Sequence, residues 1–191
     1  AVESPARTPR TELAAAYRAV RARSAAICAP LAIEDHVVQS MHDVSPPKWH
    51  LAHTTWFFET FLLEPNSAAF QPFDPAFRVL FNSYYHSVGD KHPRPERGLV
   101  SRPALAEILA YRHHVDTRMA ELLGQSRSAA LEIADLIELG VNHEEQHQEL
   151  IVTDIKHLLW KNPLRPAYST RWPLTEIRGR TPRWIGIEGG V

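Results

Sequence analysis

Apolar and aromatic residues recur at three- and four-residue spacing in four long stretches of this chain, and prolines or polar capping residues bound them. The pattern predicts an all-α protein. The first predicted helix runs from a capping Thr11 to about Ala29 and is rich in Ala, Leu and Arg. A shorter helical piece is expected across Ile33 to Ser40. Ser45-Pro46-Pro47 then reads as a helix start, a capping serine followed by prolines where amide donors have no helical partner anyway. The second long helix is expected to reach about Glu64, before Pro65. Its Trp49, His53, Trp56, Phe57, Thr60 and Phe61 share one stripe, which puts a histidine among core aromatics.

Residues 65–102 form a long crossover with one expected helix from Ala76 to about Val88, then a loop rich in Pro, Arg and Gly from Gly89 to Arg102. A connection of that length in a small bundle is usually functional. Ser101 or Arg102 before Pro103 marks a third helix through Leu123, with Leu105, Ile108, Leu109, Val115, Met119 and Leu122 at helical period. The fourth and longest helix is expected over about Ala129 to Trp160. Leu136, Leu139, Gly140, His143, His147, Leu150, Ile151, Asp154 and Leu158 are expected along its inward face. Residues 1–10 read as a disordered leader. Past Lys161-Asn162-Pro163, residues 163–191 read as a linker, and the apolar run Trp184 to Val191 as the first strand of a further domain.

The whole is 191 residues with a net charge of −1, so one main domain over 11–162 is expected and no electrostatic footprint for nucleic acid exists. No apolar run is long enough for a membrane span, and no signal-peptide pattern is present. The single cysteine, Cys28, lies in an apolar helical run and reads as a small core residue; a reducing cytoplasm is the expected location.

His143-Glu144-Glu145-Gln146-His147 carries the most chemistry. Two histidines four residues apart on a helix present their imidazoles from one face. The same letters spell the H-E-x-x-H of zinc peptidases, but such enzymes need a third ligand and an edge strand to align the substrate. Leu150 stands where one peptidase class has glycine, and the later carboxylates Glu176 and Glu188 fall in the proline-rich tail, so the peptidase reading is rejected. Two buried, unpaired imidazoles would cost roughly 1–3 kcal/mol each, and a third histidine, His53, lies on the apolar stripe of another helix. The residues therefore predict a metal site of His53, His143 and His147, with His50 as the rival for the third position. Neutral imidazole ligands suit Fe(II), Zn(II), Cu(II) or Ni(II), and proton competition is expected as pH falls through roughly 6.5. The adjacent pair His113-His114 diverges by about 100° on a helix and cannot share one ion.

Ser45-Pro46-Pro47-Lys48-Trp49-His50-Leu51-Ala52-His53-Thr54-Thr55-Trp56-Phe57-Phe58-Glu59, followed by His143-Glu144-Glu145-Gln146-His147-Gln148-Glu149-Leu150, resembles the amino-terminal DinB-like domain of the ergothioneine-biosynthesis sulfoxide synthases. The resemblance implies a DinB-like four-helix bundle with a long crossover and an irregular C-terminal linker. It implies a non-haem Fe(II) site at His53, His143 and His147, and an oxidoreductase that joins a thiol, cysteine or γ-glutamylcysteine, to hercynine with dioxygen. It also suggests that Gln146 hydrogen-bonds the imidazole substrate, that Arg94 and Arg97 bind the thiol's carboxylate, and that Tyr84 or Tyr85 sits at the active-site edge as a proton donor. Family enzymes continue into a domain resembling formylglycine-generating enzymes, which completes the pocket, so this bundle alone is expected to be inactive. A metal-dependent thiol transferase of the wider DinB-like group, or a non-catalytic metal-binding bundle, are the alternative readings.

Overall fold

A computed structural model describes residues 10–67, 70–124 and 133–169, together with 184 and 186. Among the described residues all regular structure is helical. Four helices make the body: α1 (Arg10–Cys28), α2 (Pro47–Phe58), α3 (Leu105–Gly124) and α4 (Ala134–Lys161). α1 packs along α4, while α2 packs against both α3 and α4.

Every residue of α2 is buried. A helix buried all round must be surrounded, and Trp49, Leu51, Ala52, Trp56, Phe57 and Phe58 supply its apolar contacts while Lys48, His50, His53, Thr54 and Thr55 find hydrogen-bond partners inside the protein. Its start differs from the expectation. Ser45 does not cap the helix; Pro46 occupies the N-cap without a side-chain bond. Ser45 instead donates its amide to Asp154 and accepts a bond from Arg97. The helical run also continues past Glu64, through a wide π turn at Glu59–Leu63 and a last turn at Glu64–Asn66. The wide turn precedes Pro65, whose ring would meet the carbonyl of residue 61 in a regular α-helix.

Other expected boundaries shift for local reasons. α1 already includes Thr11, which therefore lies inside the first turn and not at its cap. The piece expected over 33–40 is a single 3₁₀ turn, Glu34–His36. The helix expected from Ala76 to Val88 is one turn, Phe77–Leu80. Beyond it the Asn82 amide donates to the carbonyls of Tyr85, Gly89 and Asp90, giving the backbone an alternative to helical bonds. α3 begins at Leu105, after Pro103, with the Glu107 carboxylate accepting the Ala104 amide. The expected start of α4 and most of the expected terminal strand lie outside the described residues, as does nearly all of the leader. Residues 163–169 are irregular.

The inward face of α4 is Ile137, Gly140, Glu144, His147, Gln148, Ile151, Asp154, Ile155 and Leu158; Leu139 and Leu150 are exposed, against expectation. Gly140 lets α4 pack directly against the rings of Phe57 and Phe58 on α2. A Cβ there would stand 2.6 Å from Phe58 Cε1 and 3.1 Å from Phe57 Cε1. Alanine would gain about 1 kcal/mol in helix propensity but force two buried rings apart at about 1–3 kcal/mol. Gly140→Ala is therefore expected to lower unfolding free energy in urea by up to about 2 kcal/mol; an increase would show that α4 can shift without loss.

Cys28 is buried in the core, and burial pushes its thiol up to about 11, as a small apolar residue requires. No described helix is long and apolar enough to cross a membrane.

Candidate metal centre

α2 and α4 bring His53, His143 and His147 together, each offering a ring nitrogen within 4.8 Å of the others. Ring centroids are 4.6 Å apart for His143 and His147, 4.8 Å for His53 and His147, and 5.1 Å for His53 and His143. His143 and His147 project from successive turns, and His53 meets them from α2. His53 is fixed on three sides. Its ring lies between Trp49, stacked at 4.6 Å, and Trp56 at 5.5 Å. Its Nδ1 stands 2.6 Å from the Phe81 carbonyl oxygen, which only accepts, so Nδ1 carries the proton and Nε2 keeps its lone pair.

Burial holds all three rings neutral. It pulls His143 down to about 4, and pulls His53 and His147 well below the ordinary imidazole value, with neighbouring histidines adding to the effect. His143 Nδ1 is buried without a hydrogen-bond partner, an orphaned atom that costs about 1–3 kcal/mol in the metal-free protein. Three converging neutral imidazoles, two of them packed and one left unsatisfied, fit a divalent transition metal. Proton competition for such a metal would begin nearer the depressed value of His143 than near 6.5.

His50 is not brought into this trio. It stands beside it, with Nδ1 2.8 Å from His147 Nδ1 and Nε2 3.0 Å from Asp154 Oδ2. Periodicity alone left His50 a rival ligand because it is only three residues from His53; its partner Asp154, two turns beyond His147, could have signalled the different role.

Glu144, the acid of the H-E-x-x-H letters, points away from the histidines. It is fully buried between α1 and α3, where Oε2 accepts from Arg21 at 3.0 Å and Oε1 accepts from Arg112 at 3.0 Å and Ser24 at 2.7 Å. Burial would raise its pKa, but the two arginines outweigh burial and hold it at about 2. A carboxylate committed to two guanidiniums cannot serve as the base of a peptidase.

The histidines form one wall of a cavity of about 320 Å³. Larger hollows lie between α1 and α3, where Arg21 is already paired with Asp116, and beside residues 165–169, where the lining is mainly apolar. The opposite wall of the histidine cavity comes from the crossover and includes Arg94, Arg97, Tyr84 and Tyr85, with Gln146 at its α4 side. Gln39 secures this loop, donating to the Arg94 carbonyl at 2.8 Å and accepting the Gly98 amide at 2.7 Å. Buried Lys48 adds bonds to the carbonyls of Val100 and Pro103.

Arg97 is buried against the Trp49 ring, 3.4 Å from its centroid, and donates to Ser45 Oγ and Ser83 Oγ. Among the described residues it pairs with no carboxylate, and its Nε has no partner. Burial and the nearby Arg94 pull it down to about 9. Arg94 is half-buried, donates to the Asp43 carbonyl and lies over Tyr84, which is exposed at the rim. Tyr85 is half-buried among His53, Trp56, Phe57 and His143, and burial raises its phenol. Gln146 is exposed at the mouth. His113 is exposed, and His114 packs beside Phe73, remote from the cluster.

Search of curated proteins finds no match to the chain. The DinB superfamily profile, however, matches residues 16–151, from α1 through both histidines of α4. That span covers most of the chain and all three histidines of the cluster, so the protein belongs to the DinB superfamily.

Proposed function

We propose that this chain is the iron-binding bundle of a non-haem Fe(II) sulfoxide synthase that joins a small thiol, cysteine or γ-glutamylcysteine, to hercynine with dioxygen. The observation that carries the reading is the pairing, across one cavity, of three neutral imidazoles with a buried arginine that meets no carboxylate among the described residues. Members of this superfamily are often metal-dependent enzymes. His53, His143 and His147 would hold the ion, which when bound would supply dioxygen activation and neighbouring positions for thiol and imidazole.

The chain's own groups divide the remaining work. Arg97, desolvated and without a carboxylate partner among the described residues, would receive the carboxylate of the thiol substrate, and Arg94 would add a second charge nearer the rim. Gln146 at the mouth would hydrogen-bond the imidazole substrate. Tyr85, whose hydroxyl is kept protonated by burial, would hold a proton at the inner edge, with Tyr84 at the outer edge. The mouth at Gln146, Tyr84 and Leu150 is open to solvent, so this reading includes a covering domain that would exclude water and complete the pocket.

Mass spectrometry of air-exposed reactions containing Fe(II), hercynine and either thiol tests the proposal. The sulfoxide is expected in quantity when a covering domain is supplied and only in trace with the bundle alone. Optical spectra of the Co(II)-loaded bundle should respond to both substrates, and Arg97→Leu should weaken the response to thiol while sparing that to hercynine. A thiol response with none to hercynine would favour a thiol transferase, and no response to either would favour a non-catalytic metal bundle.

A further inference from the structure

Asp154, His50 and His147 form a line of polar contacts along the cavity wall, crossing from α4 to α2 and back to α4. Asp154 Oδ2 is 3.0 Å from His50 Nε2 and accepts the Ser45 amide at 3.0 Å. His50 Nδ1 is 2.8 Å from His147 Nδ1. His50 and His147 are both buried, where a neutral ring with a single proton is the cheaper state and the one a metal ligand requires.

The positions of those protons follow by elimination. A carboxylate only accepts, so His50 Nε2 must carry the hydrogen it presents to Asp154. His50 Nδ1 is then bare. Two bare nitrogens cannot share a 2.8 Å contact, so the proton between them belongs to His147 Nδ1. This leaves His147 Nε2 as its free lone pair, the same tautomer that the Phe81 carbonyl imposes on His53.

We infer that His50 is a positioning residue which, anchored by Asp154 and the Ser45 amide, fixes His147 as an Nε2 ligand for a divalent metal and is not itself a ligand. The inference rests on the reading of His53, His143 and His147 as a metal site. It also gives the Ser45-Pro46 entry to α2 a chemical purpose. The Ser45 amide lies outside the helical ladder and is free to hold Asp154, so the start of one helix sets the ligand orientation on another. A glutamine at position 50 has the carboxamide oxygen to accept from His147 Nδ1 and the amino group to donate toward Asp154, whereas leucine has neither.

Co(II) binding to the metal-free chain, with Zn(II)-loaded protein for long-range ¹H–¹⁵N NMR, tests the assignment. Wild type is expected to show His147 metal-bound through Nε2 with a slowly exchanging proton on Nδ1, and His50 with no metal-bound nitrogen. His50→Leu should weaken Co(II) binding by roughly 10–100-fold, the usual effect of losing an outer-shell partner, without changing the form of the d–d spectrum. His50→Gln should recover most of that loss, which a purely packing role for the ring would not produce. The wild-type NMR assignment decides the matter even if His50→Leu fails to fold. Wild-type protein that binds neither ion overturns the metal reading and this inference together. Unchanged affinity in His50→Leu, or a metal bond at His147 Nδ1 or at His50, overturns the positioning role alone and leaves the metal site standing.

Discussion

Glu144→Ala is expected to destabilise the protein by about 3–5 kcal/mol at neutral pH, the range for removing one member of a buried ion network. The side chain is fully buried and joins three helices: Arg21 and Ser24 reach it from α1, Arg112 from α3. Without it Arg112 keeps only neutral partners, the Leu51 and Arg21 carbonyls and the hydroxyls of Thr54 and Thr55. Arg21 retains Asp116 at 2.7 Å and is the better served of the two. Burial works against both guanidiniums; at Arg21 the charges of Glu144, Tyr17 and Asp116 outweigh it and raise the pKa, whereas at Arg112 burial and the repulsion of Arg21 prevail and lower it.

The same carboxylate sets an acid limit. Its pKa falls from 4.5 to about 2 on folding, so its stabilisation is complete above pH 4.5 and is lost as pH falls toward 2. Urea unfolding of wild type and Glu144→Ala across this range should converge at the acid end. A neutral-pH difference below about 1 kcal/mol would place Glu144 among ordinary exposed pairs and undo its structural role.

That network explains what could and could not be seen in the chain. The four helices were legible because their apolar periods are long and prolines separate them. The histidine trio was legible because an i, i+4 pair and a histidine inside an aromatic stripe are both local patterns. Glu144 was not, because the letters H-E-x-x-H suggest a base beside a metal, and what turns it away are partners 123 and 32 residues distant. Hydrophobicity alone places Leu139 and Leu150 inward, yet the buried face of α4 toward α1 carries a charged and a polar residue, Glu144 and Gln148, where leucines would be expected. The helix expected to reach Val88 failed for a similar reason: the three bonds of Asn82 to loop carbonyls are invisible to periodicity.

His53→Ala, His143→Ala and His147→Ala are each expected to reduce Co(II) or Fe(II) affinity by more than the roughly 10–100-fold that losing an outer-shell partner costs, because each removes one of three ligands. The three should not be equal in stability. Removing His143 deletes a buried nitrogen that has no hydrogen-bond partner in the metal-free protein, so its apo form should lose least. Removing His53 leaves the Phe81 carbonyl unsatisfied and opens a gap between Trp49 and Trp56, so its apo form should lose most. Wild-type affinity should also hold nearly level from pH 8 to about 5 and fall as pH approaches 4, where His143 takes up a proton. Exposed histidines would instead lose the ion through roughly 6.5. Metal content after dialysis, measured for each variant and across pH, checks the affinities, and urea unfolding of the metal-free variants checks their order of stability. Full retention of the ion by His53→Ala would remove α2 from the site and reduce it to the two histidines of α4.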